Sequence, residues 1–181
     1  MKRRLFVAAD VDDVTRAACA RVAEQLRAKG WSGRWVAPEN YHLTVAFIGY
    51  VGEEHITDVA AAVGEIAPRI PALDVPLDTV GAFPNQLRPR TAWAGSGASV
   101  PAFGTLCGVV RSKLTTLGLT FDANPEPHVT LARADRSTIA GLPQVEAPIA
   151  RLRIEALTLY ESVTERTGAR YEAIERFPLR G

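Results

Sequence analysis

The chain has 181 residues, with 21 Lys and Arg against 20 Asp and Glu, and its formal net charge is +1. A protein that binds nucleic acid through a large non-specific surface carries a basic surplus, so this charge balance excludes that class and leaves only a local cleft for a polyanion. Hydrophobic residues make up 47% of the chain, which suits one globular domain with a full core.

Three helices are predicted from the spacing of apolar residues. The first follows the acidic segment 10–13, which offers capping carboxylates, and ends at Lys29 and Gly30. The second runs over residues 56–67 and stops before Pro68, and the third covers residues 103–117 and ends at Gly118. In the first helix the predicted apolar stripe consists of Val14, Ala18, Val22 and Leu26.

Short runs of apolar and β-branched residues between the helices predict strands. Because helices alternate with groups of strands, the pattern indicates an α+β fold with a mainly antiparallel sheet. Residues 81–90 and 162–170 are predicted to be loops or turns. The predicted strands are 5–9, 35–36, 42–48, 73–80, 91–94, 127–132, 149–160 and 171–177.

The two cysteines and the N-terminus limit the class of protein further. Cys19 and Cys107 form no CxxC pair, which argues against a disulfide framework and against a four-ligand zinc site, and both are expected to be buried apolar residues. The apolar run 5–9 is too short for a signal peptide core or a membrane span. We therefore expect a cytoplasmic protein that does not bind a membrane.

The two halves of the chain repeat one order of features. In each half a helix ends at a glycine, a Pro-Glu pair follows, and a His-x-Thr triplet begins 12 residues after Gly30 or 10 residues after Gly118. A shared order of four features is harder to attribute to chance than a shared triplet. We therefore predict a single domain over residues 1–181 that is made of two pseudo-symmetric lobes.

Each lobe carries one histidine and one threonine on the same face of a predicted strand. Side chains alternate across a strand, so His42 shares a face with Thr44, and His128 shares a face with Thr130. If the lobes face each other, two imidazoles and two hydroxyls line one cleft. This set suits displacement at phosphorus: one neutral imidazole accepts a proton from the entering water, and one imidazolium donates a proton to the departing ribose oxygen. The threonine hydroxyls would hold the non-bridging oxygens.

A structural role and a metal site are the competing interpretations of these histidines. A single histidine on a strand is more often structural than catalytic, but two copies in matching contexts use two of the three histidines in the chain. The triplets lack nearby carboxylate or thiolate ligands and form no HExxH motif, so no metal is expected. The third histidine, His55, follows two glutamates at a predicted helix start and is expected to be exposed.

The paired motifs, with the runs around them, resemble the 2H phosphoesterase superfamily. Within it the chain is similar to the RNA 2',3'-cyclic phosphodiesterase family, also called 2'-5' RNA ligases. The paired HxTx motifs are specific for the superfamily, and the flanking runs favour this family. The matching runs are residues 4–8, 42–45, 47–49, 81–84, 88–90, 127–133, 159–162 and 168–171.

The resemblance implies a fold and an activity. The fold is bilobal α+β, with two related lobes of mainly antiparallel sheet, flanked by helices, around a central cleft. The activity is the hydrolysis of a 2',3'-cyclic phosphate at an RNA end to a 2'-phosphomonoester, without a metal or other cofactor, and with reversible 2'-5' ligation as its counterpart. The expected partners are RNA ends or small cyclic nucleotides, and the expected state is a monomer.

The resemblance also implies roles for individual residues. His42 and His128 form the acid-base pair, the first as the usual donor and the second as the acceptor, while Thr44 and Thr130 hold the phosphate. Arg133, which trails the second motif, is expected to assist in phosphate binding. Strict alternation places Arg133 on the other face from His128, so this role requires that the strand bends or ends near Ala132.

Further candidates have weaker support from the sequence. Arg34, Arg88 and Arg90 are candidates for contacts with the RNA backbone, and ordinary solvated arginines are an equal alternative. Phe47 has the same parity as Leu43 and is therefore predicted to lie in the core. Four aromatic residues are candidates for stacking on a base: Trp31, Trp35, Tyr41 and Tyr50.

Two other functions compete with this one. One is a 2H enzyme for another substrate, such as cyclic ADP-ribose phosphate or 2'-5' oligoadenylate. The other is a nucleotide-binding module that keeps the cleft without turnover, although two complete HxTx motifs argue against it. A purely structural role is disfavoured because burying two imidazoles and two hydroxyls on apolar strands costs stability unless they are paired.

Overall fold

The computed structural model describes residues 1–121, 125–138, 141–165 and 168–181, which form three α-helices, three short 3-10 helices and ten strands. The helices are α1 (Asp13–Ala28), α2 (Ile56–Ile66) and α3 (Pro101–Thr115). The strands are β1 (Lys2–Asp10), β2 (Arg34–Trp35), β3 (His42–Gly52), β4 (Leu73–Leu77), β5 (Thr79–Phe83), β6 (Thr91–Gly95), β7 (His128–Arg133), β8 (Ala150–Ile154), β9 (Ala156–Glu165) and β10 (Gly168–Pro178).

One antiparallel sheet runs through both halves of the chain. Its strand order is β10-β9-β1-β3-β7-β6-β5, and β2 pairs with β7 beside this path. The two motif strands, β3 and β7, are therefore central neighbours, with three strands on one side and two on the other. Strands β4 and β8 form a separate two-stranded antiparallel sheet. This arrangement confirms the α+β fold with mainly antiparallel strands.

The core lies between the helices and one face of the large sheet. Leu43 and Val129, which alternate with the motif side chains, are fully buried in one hydrophobic cluster with Leu26 of α1, Val63 of α2 and Val110 of α3. Because side chains alternate along a strand, the opposite face of β3 and β7 carries the histidines and threonines. Full burial of a Leu or Val contributes roughly 1.5–3 kcal/mol, so the helices hold the motif strands firmly.

The ends of two helices follow from the sequence. The Asp12 carboxylate accepts a hydrogen bond of 2.7 Å from the Thr15 amide and caps α1. Gly30 and Gly118, which follow α1 and α3, have φ angles of +79° and +80°, in the left-handed region that glycine adopts at low cost. Val14, predicted in the apolar stripe of α1, is 75% exposed, and this prediction is wrong. The buried face instead begins at Thr15.

Two predicted strands are each divided between the two sheets. Residues 73–80 contain β4 and the start of β5, separated by Asp78, and residues 149–160 contain β8 and the start of β9, separated by Glu155. At each break a single acidic residue separates the two strands and no glycine or proline stands there, so the pattern alone could not separate these strands.

Residues 162–170, predicted as a turn, instead belong largely to the hairpin of β9 and β10, except for residues 166–167, which lie outside the described residues. The residues of this exposed hairpin are mostly polar, so a strand prediction based on apolar residues does not detect it. The predicted loop 81–90 also begins inside β5, because the strand ends only at Phe83.

Both cysteines are buried and free, as predicted, and burial raises the pKa of each thiol to about 12. In the part of the chain that the structure describes, no helix is long and apolar enough to cross a membrane.

Candidate active site

The pairing of β3 with β7 brings the two motifs together. Leu43 pairs with Val129 in antiparallel register. One step along each strand in either direction, the same register sets His42 beside Thr130 and Thr44 beside His128. The four motif side chains therefore form a square on one face of the sheet. Diagonal neighbours on such a pair lie about 7–8 Å apart, which leaves room for a phosphate between the two imidazoles.

Both imidazoles are held by the backbone in the same way. His42 Nδ1 lies 2.8 Å from the carbonyl oxygen of Asn40, and His128 Nδ1 lies 2.7 Å from that of Glu126. In each case the partner is the carbonyl two residues earlier in the chain. A carbonyl oxygen only accepts, so Nδ1 carries the hydrogen in both rings, and Nε2 of each neutral ring has a free lone pair. The acceptor is Glu126 of the second Pro-Glu pair in one half and Asn40, which directly follows the first Pro-Glu pair, in the other.

The environment favours the neutral form of both histidines. Burial lowers the pKa of His42 and of His128 below the ordinary value, and the hydrogen bond to the backbone carbonyl opposes this shift in each case. Arg133 lines the same cavity as the two rings, and its charge also lowers the pKa of both. An anion bound between the rings would instead raise the imidazole pKa, since it stabilises an imidazolium.

A bulge explains how Arg133 reaches the cleft. In the pairing of β6 with β7, Trp93 is opposite Thr130 but Ala92 is opposite Ala132, so Leu131 is an extra residue on β7. Leu131 and Ala132 are therefore both buried, and Arg133 returns to the face of Thr130. The bend that the role of Arg133 requires is present in the structure.

The first motif contains the same bulge, and it overturns the prediction for Phe47. Ala8 is opposite Thr44 but Val7 is opposite Ala46, so Val45 is the extra residue on β3. Phe47 is consequently 48% exposed and lines the cleft rather than the core. Phe47 and Arg133 occupy the same position in the two motifs, five residues after the histidine. Two consecutive apolar residues after each threonine were the available sequence signal for both bulges.

The motif residues line one cavity of about 390 Å³ on this face of the sheet. His42, Thr44, His128, Thr130 and Arg133 all lie in its wall, so the structure brings together every residue predicted for the site. The wall contains two arginines, and no Asp or Glu belongs to it among the described residues. Sequence reasoning missed several wall residues, which are Arg4, Phe6, Val36, Asn40, Ser162, Ala169 and Tyr171.

Aromatic rings flank each histidine. The His42 ring lies 4.9 Å from that of Phe6 and 5.1 Å from that of Tyr171, between centroids. The His128 ring lies 5.0 Å from the ring of Phe83. These rings exclude water from the imidazoles and account for the lowered pKa values. They come from β1, β10 and β5, which are distant in sequence from the motifs, so no local pattern could have identified them.

The four aromatic residues that were candidates for base stacking lie elsewhere. Trp31 and Tyr41 are buried in the core, and Trp35 packs against that core beside Trp31. Tyr50 is 69% exposed but contributes to a different, open depression near the N-terminus. The aromatic side chains that do line the cleft are Phe6, Phe47 and Tyr171.

The remaining candidates also lie outside the cleft wall. Arg34 pairs with Arg133 between β2 and β7 but does not line the cavity, and Arg88 and Arg90 are exposed. His55 is exposed, as predicted, and lies near the carboxylates of Glu54 and Asp58. Among the described residues, no group of three or more His, Cys, Asp and Glu side chains is arranged to hold a metal ion.

Comparison with known proteins identifies close relatives. The model of the LigT-like phosphoesterases matches residues 10–93. An RNA 2',3'-cyclic phosphodiesterase of Archaeoglobus fulgidus is 36% identical over 137 residues, which cover 74% of this chain and 73% of that protein. One of Escherichia coli is 31% identical over 184 residues, covering 98% and 97%. The crystal structure of Escherichia coli LigT complexed with 3'-AMP is 28% identical, covers 100% of both chains, and has a TM-score of 0.80.

Proposed function

We propose, since this chain belongs to the RNA 2',3'-cyclic phosphodiesterase family of LigT-like phosphoesterases, that it hydrolyses 2',3'-cyclic phosphates at RNA ends to 2'-phosphomonoesters. The observation that carries this proposal is the square of two histidines and two threonines on one face of β3 and β7. The relatives bear the name of this activity, and the cleft supplies the groups that the reaction needs.

The two imidazoles supply proton transfer on both sides of the phosphorus. One neutral Nε2 accepts a proton from water as the water oxygen forms its bond to phosphorus. The bond from phosphorus to the 3'-oxygen breaks at the same time, and the second imidazole, as imidazolium, donates its Nε2 proton to that oxygen. The product is a 2'-phosphomonoester, and the pair ends with its protons exchanged. The matching backbone anchors of His42 and His128 support this division, because both rings present the same nitrogen.

Thr44, Thr130 and Arg133 would hold the charged oxygens of the phosphate. Each threonine hydroxyl lies diagonally across the square from the other, so the two can donate to different non-bridging oxygens. Arg133 lies near both histidines, where a guanidinium stabilises the negative charge that grows as water attacks. In ligation a 5'-hydroxyl would replace water as the attacking group, and the bond from phosphorus to the 3'-oxygen would break as the 2'-5' linkage forms; the reverse of this step cleaves the linkage.

We further propose that the protein acts as a monomer in the cytoplasm, on RNA ends or small cyclic nucleotides. One chain supplies both motifs to one cleft, so the site needs no residue from a second copy.

The test is a product assay on 2',3'-cyclic AMP. Wild-type protein should yield 2'-AMP, and His42→Ala and His128→Ala should each lower kcat by about 10²–10⁴-fold, the usual contribution of one acid or base. His55→Ala is the matched control, because this histidine is exposed and outside the cleft wall, and it should retain full activity.

Four outcomes would contradict the proposal in different ways. Wild-type turnover in both cleft variants would refute the two-histidine mechanism. Formation of 3'-AMP would show that the other ribose oxygen leaves. Titration of wild-type protein with AMP that gives binding without any turnover of the cyclic nucleotide would favour the nucleotide-binding module. Faster turnover of 2'-5' oligoadenylate than of the cyclic nucleotide would favour a different 2H substrate.

A further inference from the structure

Arg4 is a second cation in the cleft that the reaction as derived above does not use. It lies on β1, two and four residues before Phe6 and Ala8, and β1 has no extra residue between these positions. Alternation therefore places Arg4 on the cleft face, and its side chain lines the cavity. In the described part of the chain Arg4 forms no ion pair, whereas its neighbour Arg3, on the other face, pairs with Glu161 and Glu53.

The Arg4 guanidinium is held at a defined place by Phe47. Its central carbon lies 4.9 Å from the centre of the Phe47 ring, within the range of a cation–π contact. Phe47 is opposite Phe6, whereas Thr44 of the motif square is opposite Ala8. Phe6 and Ala8 are two residues apart on β1, so Phe47 and Thr44 are separated by about 7 Å along the strands.

Because of this distance, Arg4 is too far from the motif square to bind the reacting phosphate, but it can bind the neighbouring phosphate of the RNA chain. Arg133 already lies near both histidines, where the cyclic phosphate would be bound. The spacing between Arg4 and the motif square can be bridged by one nucleotide of a single strand. No carboxylate belongs to the cleft wall in the described residues, so no acidic side chain of the wall would face a second phosphate. Ser162, a hydroxyl donor, belongs to the same wall.

We propose that Arg4, positioned by Phe47, binds the phosphodiester on the 5' side of the terminal nucleotide, so that the preferred substrate is an RNA end of at least two nucleotides rather than a cyclic mononucleotide. This inference rests on the proposed function, because it assigns the cyclic phosphate to the motif square. Guanidinium groups suit this task, since they donate two parallel hydrogen bonds to phosphate oxygens.

The experiment compares three substrates with one another. They are 2',3'-cyclic AMP, the dinucleotide ApA with a terminal 2',3'-cyclic phosphate, and the same dinucleotide with an uncharged methylphosphonate linkage. For the wild-type protein, the charged dinucleotide should exceed each of the other two by about tenfold in kcat/KM, the effect of one charge-assisted hydrogen bond. The dependence of kcat/KM on salt should be steeper for the charged dinucleotide, by a logarithmic slope of about 0.7.

Variants then assign this preference to Arg4. Arg4→Met should lose about tenfold on the charged dinucleotide and nothing on the other two substrates. Phe47→Leu should lose about two- to fivefold on the charged dinucleotide alone, because the guanidinium keeps its charge but loses its cation–π contact. Arg88→Met is the matched control, an exposed arginine outside the cleft wall, and it should behave as wild type on all three.

Two results would overturn the inference while leaving the proposed function intact. One is an equal loss on 2',3'-cyclic AMP in Arg4→Met, which would place Arg4 at the reacting phosphate. The other is an unchanged dinucleotide preference in that variant. If wild-type protein turns over none of the substrates, the proposed function fails instead. The inference about Arg4 is then decided by calorimetric titration with 2'-AMP and with ApA bearing a 2'-phosphate. Arg4→Met should abolish the tighter binding of the dinucleotide, and the control Arg88→Met should keep it.

Discussion

Gly95→Ala is expected to disturb the second motif without touching a motif residue. Gly95 pairs with His128 between β6 and β7. A Cβ at this position would lie 2.5 Å from the carbonyl oxygen of Pro127 and 3.1 Å from both Cα and Cβ of His128. An ordinary contact requires 3.4 Å, so the start of β7 must move by about 0.9 Å. A displacement of about 1 Å at a catalytic group costs on the order of 10²-fold in rate, and we expect that loss in kcat.

The assay is turnover of 2',3'-cyclic AMP, accompanied by thermal unfolding to show that the variant is folded. Gly108→Ala is the matched control, because a Cβ there meets nothing within 4 Å and lies inside α3. It should keep full activity and gain about 0.5–1 kcal/mol of stability from helix propensity. A folded Gly95→Ala protein with wild-type kcat would refute the reasoning, since it would show that the placement of His128 does not limit the rate.

Two further predictions concern pH and metals. Burial lowers the pKa of both His42 and His128, and catalysis needs one ring protonated and one neutral, so kcat/KM should follow a bell centred below the ordinary imidazole value of about 6.5. The bell for kcat should lie at higher pH, because bound phosphate stabilises the imidazolium; a kcat/KM optimum above about pH 7.5 would contradict this assignment. Dialysis against EDTA should leave activity unchanged, and a loss that Mg²⁺ or Zn²⁺ restores would argue against a two-histidine mechanism.

The fold class could be predicted from the sequence because the core elements follow simple periodicities. Helices α1 and α3 end near glycines with positive φ, residues 5–9 of β1 form the buried apolar run that was expected, and the first residues of β3 and β7 alternate as predicted. The division of residues 73–80 and 149–160 between two sheets could not be predicted, since each break is a single acidic residue with no turn signal of glycine or proline. Most of β9 and β10 was predicted, but residues 162–165 and 168–170 of their hairpin were predicted as a turn because they include few large apolar side chains.

The motif residues could be predicted because each histidine and its threonine are two positions apart on one strand. The rest of the cleft depends on pairing between distant strands. Phe6 and Tyr171 meet His42 only because β1 and β10 belong to the same sheet. The prediction for Phe47 was wrong for a different reason: a bulge at Val45 moves Phe47 to the other face, before a second irregularity at Ile48, and simple alternation does not allow for it.

The matching bulges bring different side chains to equivalent positions of the cleft. In each motif an extra residue three positions after the histidine returns the residue five positions after it to the cleft. The second motif places Arg133 there, near both imidazoles, whereas the first places Phe47, which holds Arg4 farther along the sheet. Equivalent positions thus carry a cation in one motif and, in the other, an aromatic ring that contacts a second cation. The balanced net charge of the chain does not reveal this local excess of positive charge. Both guanidiniums line a wall in which the described residues include no carboxylate.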